Sequence, residues 1–282
     1  MGMGFDVVYS PHRPIWVPVD GTQTLAHGML LYYGKATAAN TGGVVIMPAA
    51  AGICDNTNHL VPFGVVIGDN NATPTYTTLS TALVKVQTIT GVDTLAAQNA
   101  RDWRLAEGMY AKGDPQPMVQ VARITPETVL RGYFRNSATV GTTMITTLSP
   151  SAVASTAMTF ATFGMTTVAD NATTYCVSGK NAGLYRVATS AHATAYTYTR
   201  EWPVIPATTD TFKNVNVRQG YCRIQLDTTY GLWIDNVAAM TSHYYAACVL
   251  SLDLGAESGN ESCTFSFANE IFSLNNNGRT TT

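Results

Sequence analysis

Charged residues are scarce in this chain. Asp, Glu, Lys and Arg make up 12% of its 282 residues and leave a net charge of −2. That is about half of the share, roughly 25%, found in ordinary soluble domains. Lys and Arg are not clustered anywhere in the sequence, so the basic footprint of a nucleic-acid-binding protein is missing. An anionic membrane surface is disfavoured for the same reason. We therefore expect neither nucleic acid nor a membrane as a partner.

Long apolar runs are also missing, although 46% of the residues are hydrophobic. The longest stretches, at residues 61–67 and 246–250, are far shorter than the roughly 20 residues of a membrane-spanning helix. The first residues contain no basic region followed by a long apolar one, so no secretory signal is expected. Thr, Ala, Asn and Gly fill the positions at which a free-standing protein usually carries charged residues. Because hydroxyls and amides cost less to desolvate than ions, such a surface suits burial against other subunits.

Cysteine pairs at metal-binding or redox spacing are absent. The five cysteines are scattered: Cys54, Cys176, Cys222, Cys248 and Cys263. This pattern indicates buried, reduced thiols in a protein made in a reducing cytosol, and a disulfide is the alternative. Cys54 and His59 stand near each other, but no second pair of ligands has the spacing of a zinc site. We expect no metal and no cofactor.

The short motifs that carry catalysis are absent as well. The chain contains no Gly-x-Ser-x-Gly elbow and no glycine-rich phosphate loop, which are the sequence signatures of hydrolases and nucleotide-binding enzymes. Glu257 and Glu261 are close in sequence, but the segment 255–261 around them is typical of a solvated hairpin loop. We therefore expect that the protein is not an enzyme.

Short β-type runs fill most of the chain. They are rich in Val, Ile, Thr, Tyr and Phe and are bounded by Gly, Pro, Asn and Asp, a pattern typical of barrels and sandwiches. Alternation predicts that Val119 and Val121 share one face of a strand, with Gln120 on the other face. It also predicts that Cys222, Ile224 and Leu226 face inward from another strand. Helical patterning is limited to residues 94–109 and, more weakly, 149–157. The sequence predicts an all-β fold of two small β-barrel or β-sandwich domains with at most one or two short helices.

Composition divides the chain into five segments. Residues 1–16 are predicted to be an extended N-terminal arm, since Pro11 and Pro14 prevent pairing as a central strand. Two β domains are predicted at 17–136 and 148–274, with a small, uncharged linker at 137–147 and a flexible tail at 275–282. Aromatic and basic side chains are the candidate contacts with a partner or another subunit: Phe5, Tyr9, His12, Arg13, Trp16, Arg131 and Arg135.

Aromatic residues crowd the second half of the chain. They are Tyr196, Tyr198, Trp202, Tyr230, Trp233, Tyr244 and Tyr245. Such rings serve either as packing groups in cores and subunit contacts or as a platform for carbohydrate. The sequence favours packing, and carbohydrate binding is the alternative.

Three stretches resemble the head decoration, or cement, proteins of tailed bacteriophages. They are Val17-Pro18-Val19-Asp20-Gly21, Thr24-Leu25-Ala26-His27-Gly28-Met29-Leu30-Leu31-Tyr32 and Val61-Pro62-Phe63-Gly64-Val65-Val66-Ile67. The resemblance implies a β-tulip-like fold for residues 17–136 and a homotrimer. It implies that the protein is made in the host cytoplasm and then binds the major capsid protein on the outer surface of the expanded head. The N-terminal arm would lie on the shell, and the second domain would be an addition to the family's pattern.

Two other virion roles stay open. A tail-associated or receptor-binding protein would use the aromatic residues of the second half to bind glycans. The major capsid protein is less favoured, because its usual fold needs a long spine helix that the sequence does not predict. If the chain is a decoration protein, deleting residues 1–16 is expected to abolish capsid attachment and to leave both domains folded.

Overall fold

A computed structural model describes most of the chain. The described residues are 4–19, 22–33, 44–46, 62–68, 75–79, 82–90, 118–135, 148–160, 167–168, 172–192, 195–227, 230–235 and 244–272. Four segments singled out in the sequence lie outside these residues: the helix candidate at 94–109, the linker at 137–147, the tail at 275–282 and the loop at 54–59.

The described residues are nearly all β, which confirms the predicted fold class. The strands are β1 (Asp6–Tyr9), β2 (Ile15–Pro18), β3 (Thr22–Ala26), β4 (Leu30–Tyr33), β5 (Val44–Ile46), β6 (Pro62–Gly68), β7 (Thr75–Leu79), β8 (Ala82–Thr90), β9 (Met118–Arg123), β10 (Val129–Arg135), β11 (Ala152–Val153), β12 (Ala157–Thr159), β13 (Thr167–Val168), β14 (Thr173–Cys176), β15 (Tyr185–His192), β16 (Ala195–Tyr198), β17 (Phe212–Val215), β18 (Gly220–Leu226), β19 (Ile234–Asp235), β20 (Tyr244–Asp253) and β21 (Ser262–Phe267). Among these residues the helix is α1 (Asn269–Phe272). None of the helical structure described here is long and apolar enough to cross a membrane.

The weaker helix candidate at 149–157 is wrong. Its residues form a tight hairpin of β11 and β12, in which Ser151 N donates to Thr159 O and Ala154 N to Ala157 O, both at 2.7 Å. These cross-strand hydrogen bonds replace the intrahelical ones, because the hairpin extends a sheet that is already formed by β12 and β16.

A closed five-stranded barrel is the first main unit of the fold. Its strands follow the order β10-β19-β18-β20-β21, and β21 pairs back with β10. Cys222, Ile224 and Leu226 of β18 are buried, as the alternation predicts. The barrel joins β10, which precedes the predicted linker, to four strands that follow it. Its core also includes Leu30 and Val65 from two strands of another sheet.

Three further sheets complete the described structure. A five-stranded sheet, β2-β9-β6-β4-β5, and a three-stranded sheet, β3-β8-β7, come from the first part of the chain. They share a core to which Val119 and Val121 both contribute, together with Leu232 and Trp233, so the two valines share a face as predicted. The third sheet runs β11-β12-β16-β15-β14-β17, with β13 attached to β15.

Aromatic side chains of the second half fill these cores. Tyr196, Tyr198, Trp202, Trp233 and Tyr245 are each at most 3% exposed. Tyr198 and Trp202 meet edge-to-face, with ring centroids 5.6 Å apart at 82°, and Trp233 packs at a tilt on Tyr230. The packing interpretation therefore holds for these rings, and none of the five presents a face to carbohydrate.

Thiol labelling tests this description of the interior. Cys176, Cys222 and Cys263 are buried and Cys248 is exposed, all four as free thiols. Burial raises the pKa of Cys176 to about 11 and also raises the pKa of Cys222 and Cys263, so their reactive thiolate forms are suppressed. In a Cys54→Ser background, we expect a thiol reagent at neutral pH to label Cys248 in the native protein and all four thiols after denaturation. Rapid labelling of three or four thiols without denaturant would contradict the burial.

Candidate functional site

The candidate site is the N-terminal segment 6–18, called the strap from here on. Its first strand pairs with β10, where Asp6 lies opposite Arg131, and its second pairs with β9, where Ile15 lies opposite Val121. Because β9 and β10 are consecutive, the strap runs along both and connects the five-stranded sheet to the barrel. Each of the two strap strands is an edge strand of its sheet, and edge strands tolerate proline.

A core anchor precedes the strap. The side chain of Phe5 is 1% exposed, and its ring meets Phe265 edge-on, with centroids 6.2 Å apart. Gly4 N donates to Leu232 O at 2.9 Å, and Phe5 N donates to Gly28 O at 2.8 Å. Gly28 has φ +81°, and a Cβ there would lie 2.7 Å from Gly4 Cα, so this close approach requires glycine. The structure thus places Phe5, a candidate contact residue, in the core.

Large apolar side chains are exposed along the strap. Val8, Tyr9, Ile15 and Trp16 are 51%, 56%, 37% and 44% exposed. A single exposed apolar residue is ordinary on any protein surface. Four of them on one extended segment of a protein with little charge indicate an interaction surface. Tyr9 and Trp16, both candidates from the sequence, are the aromatic members of this set.

The middle of the strap is stiffened by local structure. Ser10 Oγ donates to His12 O at 3.2 Å and accepts from His12 N at 3.3 Å. Pro11 and Pro14 fix their own φ angles and carry no N–H group. His12 and Arg13 are exposed between them. The backbone conformation of the strap is therefore restricted before it binds a partner. Because prolines lack an N–H group, they favour recognition through side chains over pairing with an added strand.

Charged groups lie next to the apolar side chains. Arg131, a candidate contact residue, is exposed on β10 beside Asp6. The hydroxyl of Tyr133 donates to Asp6 Oδ2 at 3.2 Å. Burial, followed by the negative charge of Asp6, raises the pKa of Tyr133, so the phenol remains a neutral donor at physiological pH. The strap therefore presents Arg13 and the carboxylate of Asp6, and Arg131 of β10 lies beside it.

Arg135, the last candidate contact residue, lies in the interior. It is 5% exposed, and it donates to Phe134 O at 3.0 Å and to Gly259 O at 2.7 Å. Desolvation lowers the pKa of Arg135, and the negative charge of Glu261 opposes that shift. The structure gives this side chain a role in an internal ionic cluster.

Glu261 is the acidic centre of that cluster. It is fully buried and forms an ion pair with Lys213, with Nζ and Oε1 2.9 Å apart. Its other oxygen, Oε2, accepts from Gly259 N at 2.7 Å, and Lys213 Nζ also donates to Ala256 O at 2.8 Å. The interpretation of segment 255–261 as a wholly solvated loop is therefore wrong for Glu261, although Glu257 is exposed. Sequence reasoning missed this site because its three charged residues are far apart in the chain.

Metal-ligating side chains do not converge in the described part of the chain, where no group of three His, Cys, Asp or Glu residues is placed to hold an ion. The fold and the strap together define an all-β protein with an exposed edge segment that carries large apolar side chains. Comparison with protein-family models, with curated proteins and with solved structures found no match.

Proposed function

We propose that this chain is a capsid decoration protein, a structural virion protein that binds the outer surface of an expanded phage head. Its partner is the major capsid protein, and it acts as a homotrimer. Binding adds buried area across capsomer boundaries and thereby stabilises the shell against the pressure of the packaged DNA. The observation that carries the proposal is the strap, a restricted edge segment with four exposed large apolar side chains.

The residues of the strap suit attachment to a protein shell. Trp, Tyr and Arg are the residue types that dominate binding energy at interfaces, and the site offers Tyr9, Trp16, Arg13 and Arg131. Because the strap is paired to β9 and β10, little backbone entropy is lost when it binds. The scarcity of charge elsewhere lowers the cost of covering the surrounding surface.

Copy number in purified virions is the first measurement. Quantitative mass spectrometry against the major capsid protein is expected to give hundreds of copies in a simple ratio to the capsid subunit. A handful of copies would instead place the protein at the tail or the portal vertex, and absence from virions would overturn the proposal. The glycan-binding alternative is disfavoured, because Trp202 and Trp233, the two tryptophans of its aromatic set, are buried.

Replacing the strap's two exposed aromatic residues tests the attachment site itself. We expect the double variant Tyr9→Ala, Trp16→Ala to bind undecorated expanded capsids at least about 30-fold more weakly than the wild type, the loss typical of an interface hot spot. Cosedimentation with capsids over a range of protein concentrations measures the affinity.

Tyr221→Ala is the matched control. Tyr221 is as exposed as Tyr9, at 55%, but it lies on the outer wall of the barrel. This variant should bind capsids like the wild type. Equal losses in the control and the double variant, or full binding by the double variant, would remove the strap from the interface.

A further inference from the structure

The exposed tryptophan of the strap begins a row of residues that crosses its sheet. Trp16 of β2 lies directly opposite Gln120 of β9, and Gln120 lies directly opposite Gly68 of β6. Because directly opposed residues project to the same face of a sheet, these three form one row across three strands. The row spans about 10 Å, twice the distance between neighbouring strands. Trp16, Gln120 and Gly68 are called the ledge from here on.

The ledge is the uncovered part of a sheet face that is covered elsewhere. Ala122 lies opposite Val65, and by strand alternation this pair shares the face of Gln120. Val65 belongs to the barrel core and Ala122 is 5% exposed, so the barrel covers this end of the face. Two residues earlier on β9, Gln120 and its neighbour Gly68 are half-buried, and Trp16 is 44% exposed. The ledge therefore lies where the barrel stops covering the sheet.

A β-bulge brings the members of the ledge into line. The register of β6 against β9 shifts between Val66 and Gly68, so Ile67 is an extra residue that no residue of β9 opposes. In an unbroken register, Ile67 would lie opposite Gln120 and Gly68 would project to the other face. Bulges are common next to functional sites, where they redirect side chains.

Gly68 positions the side chain of Gln120. A Cβ added at Gly68 would overlap Gln120 Oε1 and would lie 3.1 Å from Gln120 Cβ and 3.3 Å from Gln120 Cδ, so the glutamine side chain lies directly over the glycine. The backbone of Gly68 is outside the left-handed region, so the close approach of the glutamine, and not backbone conformation, calls for glycine here. In the part of the chain that the structure describes, the side-chain amide of Gln120 forms no hydrogen bond.

The chemistry of the ledge fits an extended peptide segment. A glutamine amide carries an acceptor oxygen and two N–H donors, which match the N–H and C=O groups of a peptide unit. The ring of Trp16 beside it supplies a large apolar contact area. Because the side chain of Gln120 is already packed over Gly68, it loses little rotamer entropy when a partner binds.

We propose that the ledge is part of the capsid-binding surface, on which an extended segment of the major capsid protein forms hydrogen bonds with the amide of Gln120 and packs on Trp16. Gln120 is a contact residue, and Gly68 is a positioning residue that acts through it. The ledge continues the surface of the strap, because Trp16 belongs to both. This inference rests on the proposed function, and it adds a contact outside the strap that can fail by itself.

Cosedimentation with undecorated expanded capsids tests the ledge. Gln120→Ala is expected to weaken binding about tenfold, because a peptide group of the partner is left without its hydrogen bonds. Gly68→Ala is expected to weaken binding by a similar factor, because the added methyl group displaces the amide of Gln120. Unchanged thermal unfolding of both variants confirms that they are folded.

Gln219→Ala is the matched control. Gln219 is an exposed glutamine that precedes β18 of the barrel, and its Nε2 donates to Leu250 O at 3.0 Å. This variant should bind capsids like the wild type. Equal losses in Gln219→Ala and Gln120→Ala would overturn the inference.

A double-mutant cycle tests whether Gly68 acts through Gln120. Once Gln120 is alanine, the further change Gly68→Ala should alter the affinity less than about twofold, because there is no amide left to displace. Additive losses, or full binding by Gln120→Ala, would overturn the inference. If Gln120→Ala binds fully while Tyr9→Ala, Trp16→Ala does not, the strap remains the attachment site and the ledge alone is refuted. A wild type that does not bind capsids overturns both.

A glycan array distinguishes a peptide from carbohydrate as the occupant of the ledge. The wild type is expected to bind none of the arrayed glycans. Binding of a glycan that is lost in Gln120→Ala would assign the ledge to carbohydrate and overturn the inference.

Discussion

Replacing Phe5 by Ala is expected to lower the free energy of unfolding by about 3–5 kcal/mol, the usual cost of truncating a buried aromatic side chain. The ring of Phe5 contacts Phe265 inside the barrel. A Cβ added at Gly132 would lie 2.7 Å from Phe5 Cε1, so the ring packs directly on the wall of the barrel. Truncation leaves a cavity that these neighbours cannot fill. Denaturant unfolding followed by tryptophan fluorescence measures the loss.

Tyr9→Ala is the matched control for this prediction. Tyr9 lies four residues further along the same segment and is 56% exposed, so its truncation should change the free energy of unfolding by no more than about 0.5 kcal/mol. If Phe5→Ala were as harmless as Tyr9→Ala, Phe5 would not be part of the barrel core.

The burial of Phe5 changes how the N-terminal segment must be tested. Deleting residues 1–16 was expected to leave the domains folded, but that deletion removes Phe5, all of β1 and part of β2. Loss of capsid attachment would then follow from a damaged fold as readily as from a missing contact. Substitutions at Tyr9 and Trp16 avoid this, because both side chains are exposed and their strands remain paired.

Replacing Glu261 by Ala is expected to lower the free energy of unfolding by about 3–5 kcal/mol, as is typical when one partner of a buried ion pair is removed. The variant leaves the ammonium of Lys213 in the interior without its carboxylate, at 8% side-chain exposure. It also leaves Gly259 N without the acceptor Oε2. Arg135 adds a second buried cation nearby, so the remaining charges repel each other.

Two further variants test whether this loss comes from breaking the ion pair between Lys213 and Glu261. Glu257→Ala removes an exposed carboxylate from the same loop and should be nearly neutral, within about 0.5 kcal/mol. The double variant Lys213→Met, Glu261→Leu should be more stable than Glu261→Ala alone, because it leaves Arg135 without the carboxylate, whereas Glu261→Ala leaves both Arg135 and Lys213 without it. If Glu261→Ala were no more destabilising than Glu257→Ala, the ion pair would not be a stabilising element of this fold.

Local patterns account for a good part of the fold. Alternation along residues 118–124 and 221–226 predicted which side chains share a face, because the direction of a strand's side chains has a period of two whatever the partner strand. The predicted sets, Val119 with Val121 and Cys222 with Ile224 and Leu226, are buried. Proline content predicted that residues 5–16 are extended and excluded from central positions. The aromatic residues of the second half were expected to pack, and Tyr196, Tyr198 and Trp202 do so.

The same local patterns could not identify the contacts between distant residues. Arg135 and Phe5 are predicted from the sequence to be contact residues, but both are buried. The residues next to an arginine or an aromatic side chain in the sequence do not reveal which distant residues will pack over it. Residues 151–159 form a hairpin and not a helix for a related reason. Their helical pattern is short and weak, and pairing of β12 with β16 favours the extended conformation.

By itself, the sequence determined the all-β class, the burial pattern within strands and the low charge of the surface, since these follow from residue type and local spacing. Only the tertiary structure decided which strands close the barrel, that Phe5 is an internal anchor while Tyr9 and Trp16 remain exposed, and that Lys213, Glu261 and Arg135 meet inside. These are pairings between residues far apart in the chain, and their free energies arise only when folding has brought the partners together and removed water from between them.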